Sequence, residues 1–181
     1  MNYCSSCGSS VERRIPEGDD RERYVCPGCE IIHYTNPHVI VGCLPCYQGR
    51  VLLCKRAIEP RKGYWTLPAG FMENGETTQQ GAIRETWEEA KARVSKLALY
   101  RVIDVPYISQ VYMFYRCDLD DGVFGVGPES LETVLCREQD IPWDEIAFPV
   151  VKVTLKDYFA DVKQGEFPVQ VTSIEYKKRR D

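Results

Sequence analysis

Along much of the chain apolar and polar positions alternate, and a period of two predicts strands. Residues 39–47 and 50–55 read as two strands joined by a turn at Gln48 and Gly49. Residues 97–105, 109–118 and 131–137 read the same way, and 65–68 as a shorter extended piece. Two stretches switch to the helical period. One runs from a cap at Thr77 or Thr78 to about Ala92. The other covers 150–164, with Val151, Leu155, Tyr158, Phe159 and Val162 apolar. Pro142 opens a short helix over 143–147, while 59–64 and the glycine-bearing 120–128 read as loops. Strands mixed with two substantial helices predict an α/β domain with a mixed sheet.

The first 34 residues do not fit this pattern. Residues 11–24 are rich in charge and too poor in apolar side chains to form a core. We therefore expect a small module over 1–34 and the main domain over 35–181. A total of 181 residues allows about one domain plus such a module. With 23 basic and 27 acidic residues the net charge is -4, which does not draw the protein to nucleic acid or to an anionic membrane. In the module, Arg13, Arg14, Arg21 and Arg23 are offset by Glu12, Glu17, Asp19, Asp20 and Glu22. The apolar run 39–47 contains Gly42 and Pro45 and is far short of the ~20 residues that span a bilayer. The first ten residues lack both a basic start and an apolar stretch, so no signal peptide is expected and the cytoplasm is the default address. The basic tail 176–181 reads as a solvated terminus.

Nine cysteines change the picture. An odd number without a signal peptide speaks against a disulfide framework. Cys4, Cys7, Cys26 and Cys29 form two C-x2-C pairs eighteen residues apart, the spacing of a four-thiolate zinc site. A redox pair is the competing reading, with His33 an alternative fourth ligand. A metal would hold a segment that cannot hold itself. Cys43 and Cys46 repeat the spacing inside an apolar strand. They read as buried small hydrophobes, as do Cys54, Cys117 and Cys136.

The first long helix carries the chemistry. At about 100° per residue, Ile83, Thr86, Trp87, Ala90 and Val94 share one side, expected to face the core. Glu85, Glu88 and Glu89 gather on the other. Gly81 lies on that acidic side, where a missing side chain leaves room for approach. Three like charges so close repel one another. A solvated acidic face is one reading and a divalent-cation site the other. Carboxylate clusters suit Mg²⁺ or Mn²⁺.

The wider spacing favours the second reading. Gly70, Glu76 and the run Arg84-Glu85-Thr86-Trp87-Glu88-Glu89-Ala90-Lys91-Ala92 closely resemble the Nudix box, G-x5-E-x7-R-E-U-x-E-E-x-G-U with U apolar. Thr86 stands at the first U, and Lys91 replaces the second glycine, which would suit a left-handed helix end. The resemblance implies a Nudix-type α/β/α sandwich preceded by a zinc ribbon, hydrolysing a nucleoside diphosphate linked to another moiety. It implies that Glu85, Glu88, Glu89 and the Gly70 carbonyl bind Mg²⁺ or Mn²⁺, that Glu76 and Arg84 orient the glutamates, and that the protein is a homodimer. The base is open between a box glutamate and the later Glu129 or Glu132.

Residues 103–110 do not match the array of NADH-cleaving relatives, and Pro106 only approaches the proline of ADP-ribose-cleaving ones. The stretch from Gly63 through the box looks most like ribbon-bearing relatives of FAD and ADP-ribose pyrophosphatases, so FAD or ADP-ribose is the expected substrate, giving AMP and a phosphorylated product. Tyr64, Trp65, Phe71, Tyr107 and Tyr112 are candidates to stack on its rings. The alternative is a sensor, in which an inactive Nudix domain accompanies a ribbon that binds nucleic acid or protein.

Overall fold

The structure is a computed structural model in which residues 1–175 are described. The basic tail 176–181 lies outside the described residues. The chain divides into two compact units between Pro37 and His38.

The first unit is a three-stranded antiparallel sheet of β1 (Glu12–Arg14), β2 (Arg23–Val25) and β3 (Ile32–His33), in that order. Its buried apolar residues are Cys4, Pro16, Val25 and Cys26. That is too little to hold the unit by burial alone.

The second unit is built on a mixed sheet in the order β10-β5-β4-β9-β8-β11. The strands are β4 (His38–Tyr47), β5 (Arg50–Arg56), β8 (Val94–Val105), β9 (Gln110–Leu119), β10 (Ser130–Cys136) and β11 (Gln170–Ser173). Two short strands are added, β6 (Trp65–Thr66) on β5 and β7 (Ala69–Phe71) on β4. β4 runs parallel to β9, and β8 parallel to β11. The helices are α1 (Thr78–Ala90) and α2 (Pro149–Gln164).

Strand periodicity sorts the core into two faces. Leu44, Val51, Leu53 and Phe114 pack with Val151, Leu155, Tyr158 and Phe159 of α2. Their sequence neighbours point the other way: Val41, Cys43, Tyr115 and Cys117 cluster with Ala82, and Leu52 and Cys54 with Ala90. The result is the expected α/β/α sandwich. Cys43, Cys54, Cys117 and Cys136 are buried, and Cys46 is half-buried.

At the β8–α2 seam sits Arg101, fully buried. Its guanidinium donates to Asp157 Oδ2 (2.8 Å), Asp161 Oδ2 (2.9 Å), and the carbonyls of Tyr100 (3.0 Å) and Pro168 (2.9 Å). A buried charge is tolerated when it is paired and hydrogen-bonded in this way.

Four expectations need correction. Residues 143–147 are not a helix. They form turns, and the segment pairs with Trp65 through Trp65 N–H to Glu145 O (2.8 Å) and Ala147 N–H to Trp65 O (2.8 Å). A five-residue helix satisfies few of its own backbone groups, so a strand partner wins. Strand β11 was not expected, because its outward Val171 gives no buried alternation to read. Helix α1 ends at Ala90, since Lys91 turns left-handed at φ 49 and its N–H caps Trp87 O.

The fourth concerns which side of α1 faces the sheet. Ile83 and Trp87 are 40% and 45% exposed, whereas Gly81, Ala82, Thr86, Glu89 and Ala90 are buried. Thr86 is accommodated because its hydroxyl donates to Ala82 O (2.7 Å). Small side chains let the helix approach the sheet closely. A β-carbon on Gly81 would come within 2.7 Å of Val41 Cγ2 and 2.6 Å of Glu76 Oε1. Gly81 thus serves packing rather than ligand access.

Candidate active site and zinc knuckle

Residues 76–91 fold locally into the scaffold of the site. Thr77 caps α1 by accepting from Gln80 N–H (3.2 Å), and Gln80 Oε1 accepts from Thr77 N–H (2.8 Å). This fixes the entry point of the helix. Glu76, just outside it, accepts from Glu73 N–H (2.7 Å) and from Arg84 Nη2 (2.8 Å) and Nε (3.1 Å). These donors hold the Glu76 carboxyl down at about 2.

Arg84 is the clamp of the site. Besides Glu76 it donates to Glu85 Oε1 (2.7 Å), Glu88 Oε2 (3.0 Å) and Phe71 O (3.0 Å). The guanidinium therefore ties the preceding loop, β7 and α1 together and leaves little donor capacity for a ligand. Gly70 of β7 faces Glu85 so closely that a β-carbon would overlap its carboxylate.

Burial sets the electrostatics of the three box glutamates. Glu89 is 6% exposed, and its carboxyl is pushed up to about 8, first by burial and then by Glu85. Its Oε2 is buried and has no hydrogen-bond partner. Glu85 is raised mainly by burial, against the pull of Arg84. Glu88 stays half-exposed. An orphaned buried carboxylate oxygen beside two further carboxylates fits a hard divalent cation, which takes oxygen ligands and removes the mutual repulsion.

These groups open on one cavity of about 780 Å³. Its wall carries Glu59, Glu73 and Glu129 as well as the box glutamates, against Arg56 and Arg84. The same wall carries the rings of Phe71, Tyr112, Phe114 and Phe148. Of the aromatics singled out in the sequence, Phe71 and Tyr112 reach this wall. Trp65 belongs to the core, Tyr64 lies under Arg61, and Tyr107 lines a smaller neighbouring pocket. Glu129 is on the cavity wall, its carbonyl held by Ala57 N–H (2.8 Å). Glu132, on β10, faces Lys55 at 4.0 Å and does not line the cavity.

Sequence reasoning overlooked Arg56 and Phe148. Arg56 Nε donates to Pro60 O (2.9 Å), and its guanidinium lies over the Phe148 ring at 5.1 Å. Its two Nη groups have no hydrogen-bond partner among the described residues. No motif marks it; only its place at the end of β5 brings it to the cavity.

In the first unit the four motif thiolates lie within 4.8 Å of one another. Cys7 and Cys26 sulfurs are 3.4 Å apart, and Cys4 and Cys29 3.6 Å. Tetrahedral Zn–S bonds of ~2.3 Å place sulfurs ~3.8 Å apart, so the cluster fits zinc. The Cys4 thiol is lowered to about 5, first by the Ser6 amide and also by His33. His33 Nε2 reaches Cys4 Sγ at 3.3 Å, so it sits beside a thiolate rather than replacing one.

A carboxylate helix clamped by Arg84 to β7 beside a cavity suits a phosphorylated ligand met through a divalent cation. Family models agree: residues 2–35 match the Nudix N-terminal zinc ribbon, and 36–153 match the NUDIX domain. The chain belongs to the Nudix family and carries that family's N-terminal zinc ribbon. It is similar to a NUDIX hydrolase of Nitrosomonas europaea whose crystal structure superposes with a TM-score of 0.93, at 54% identity over 97% of this chain and 100% of that one. A bifunctional NMN adenylyltransferase/ADP ribose pyrophosphatase of Francisella tularensis shares the fold, with TM-score 0.57 and 17% identity over 74% of this chain and 43% of that one. Among curated relatives are proteins called NAD-capped RNA hydrolase. That of Photorhabdus laumondii is 28% identical over 71% of this chain and 48% of its own length. That of Photobacterium profundum is 24% identical over 90% and 60%. The chain thus spans about half the length of these relatives.

Proposed function

We propose that this protein hydrolyses the pyrophosphate of an adenosine diphosphate linked to a second moiety, FAD or ADP-ribose first, giving AMP and a phosphorylated product. One observation carries the reading: the same cavity is lined by carboxylates, by aromatic rings and by an arginine with unused donors. A dinucleotide-sized ligand needs a site of several hundred Å³. Its rings stack between Phe71, Tyr112 and Phe148, and its phosphates lie over the glutamates, where Arg56 donates to a non-bridging oxygen.

Mg²⁺ or Mn²⁺, held by Glu85, Glu88, Glu89 and the Gly70 carbonyl, supplies charge neutralisation and a more acidic water when bound. The chain does the rest. Arg84 keeps Glu85 and Glu88 in one orientation. The water oxygen forms a bond to one phosphorus while the bridging P–O bond breaks, and the second phosphate leaves with the bridging electron pair. Glu129 takes the proton of the water. It is the candidate base we retain, because Glu132 faces away from the cavity.

The test is phosphate release with added phosphatase, in Mg²⁺ and in Mn²⁺, on FAD, ADP-ribose, NADH, diadenosine polyphosphates and CoA. We expect FAD or ADP-ribose to be cleaved at least tenfold faster than the rest, and Glu88→Gln to abolish the reaction with the fold intact. No cleavage with either metal would overturn the reading in favour of a binding module. The names of the curated relatives favour a second reading, a nicotinamide dinucleotide borne on an RNA 5′ end. An RNA carrying that cap belongs in the same panel.

A further inference from the structure

The sheet register sets three cavity side chains in one row. Phe71 of β7 and Tyr112 of β9 both pair with Ile40 of β4, one from each side. All three line the cavity. Neighbouring strands lie ~4.8 Å apart, so the two aromatic residues are rooted ~10 Å apart with the smaller Ile40 between them. That spacing admits one flat heterocycle over Ile40. Both walls are braced from behind. The His38 ring stands edge-on to Phe71 at 5.4 Å, and Phe114 stacks with Tyr112 at 6.1 Å.

Gln110 closes one end of this slot. It opens β9 two residues before Tyr112, and so lies on the same face of the sheet, ~7 Å further along. It lines the cavity, and its backbone is pinned between His38 of β4 and Val105 of β8. The Tyr112 hydroxyl donates to Gln110 Oε1 (2.9 Å), which fixes which end of the amide is oxygen. The second lone pair of Oε1 and both Nε2 hydrogens have no partner among the described residues. An oriented amide with spare donors and a spare acceptor, set at the edge of a ring slot, can read that ring. Adenine presents an amine beside a ring-nitrogen acceptor, the complement of such an amide. Hypoxanthine carries a carbonyl in place of the amine, so two oxygens would face each other. Turning the amide over would leave the half-buried Tyr112 hydroxyl proton without an acceptor.

We infer that Gln110, oriented by Tyr112, selects adenine for the slot between Phe71 and Tyr112. The inference rests on the reading of an adenosine diphosphate substrate and deepens it by naming the residue that recognises the base.

The test is calorimetric binding of AMP, IMP and FMN in the presence of Mg²⁺. These monophosphates need no turnover. An AMP preference in a protein that cleaves no dinucleotide would therefore sink the hydrolase reading and still support this assignment. We expect the parent to bind AMP at least tenfold tighter than IMP. Gln110→Leu should bring that ratio to within threefold of one. Tyr112→Phe keeps the ring but frees the amide, and should lower the ratio as well. The ratio of kcat/KM for ADP-ribose and its hypoxanthine counterpart should move in parallel. A change in packing alone would weaken both nucleotides together and leave the ratio where it was. AMP and IMP bound alike by the parent, an unchanged ratio in Gln110→Leu, or FMN bound in preference to AMP would overturn the proposal.

Discussion

Gly70 and Glu85 touch with no room between them: the carboxylate occupies the space that a side chain at residue 70 would need. The entry strand and the carboxylate helix are therefore registered by an absent side chain. Gly70→Ala would leave the sheet pairing of Gly70 with Val41 in place but push Glu85 away from Arg84. We expect kcat to fall by ~100-fold or more, with a Tm change of only a few degrees. A variant that keeps a third of parental activity would show that Glu85 can work from another position.

Arg56 should act mainly in binding. Loss of a charge-assisted hydrogen bond to phosphate costs ~1.5–3 kcal/mol. Arg56→Gln is therefore expected to lower kcat/KM by ~10–100-fold, chiefly through KM. Steady-state kinetics on the preferred dinucleotide measure it, and an unchanged KM would remove Arg56 from the phosphate site.

Glu76 sets part of the acid limit. Its carboxyl is held at about 2, against an ordinary 4.5, by the Arg84 guanidinium. A depressed pKa means that its stabilising contribution is complete above about pH 4.5 and disappears as pH falls toward 2. Glu76→Gln should lose stability at neutral pH and lose less of what remains on acidification. Melting temperatures at pH 7 and pH 3 give the comparison, and parallel curves for the two proteins would contradict it.

The knuckle should fold with its metal. Cys26→Ser is expected to drop the zinc-to-protein ratio from one to near zero and to expose residues 1–37 to protease, with the second unit still cooperative. A ratio that stays at one would refute the four-thiolate assignment.

The two patterns most legible in the sequence were the strand alternation of β4, β5 and β9 and the spacing of charged residues and cysteines. Both follow from local geometry: a strand shows its faces every second residue, and a metal-binding helix needs its carboxylates one turn apart. The rotation of α1 was not legible, because the helix meets the sheet through Ala82, Thr86 and Ala90. Thr86 and Ala90 fell within the expected stripe and are buried, but the bulk of Ile83 and Trp87 centred that stripe on what is the outer face, and Ala82 was too small to pull it back. Arg56 and Phe148 escaped notice because each is ordinary within its own segment. They meet only when α2 closes over the sheet, 92 positions along the chain from the end of β5.

The Arg101 knot has a consequence for how the domain breathes. An outermost strand ordinarily frays first, and β11 borders only β8. Here the segment leading into β11 supplies Pro168 O to a guanidinium sealed under α2. Peeling the strand away would strip a hydrogen bond from a charge that water cannot reach. The backbone amides of this edge should therefore exchange with solvent on the slow timescale of the interior, so that the rim of the sheet opens together with its centre.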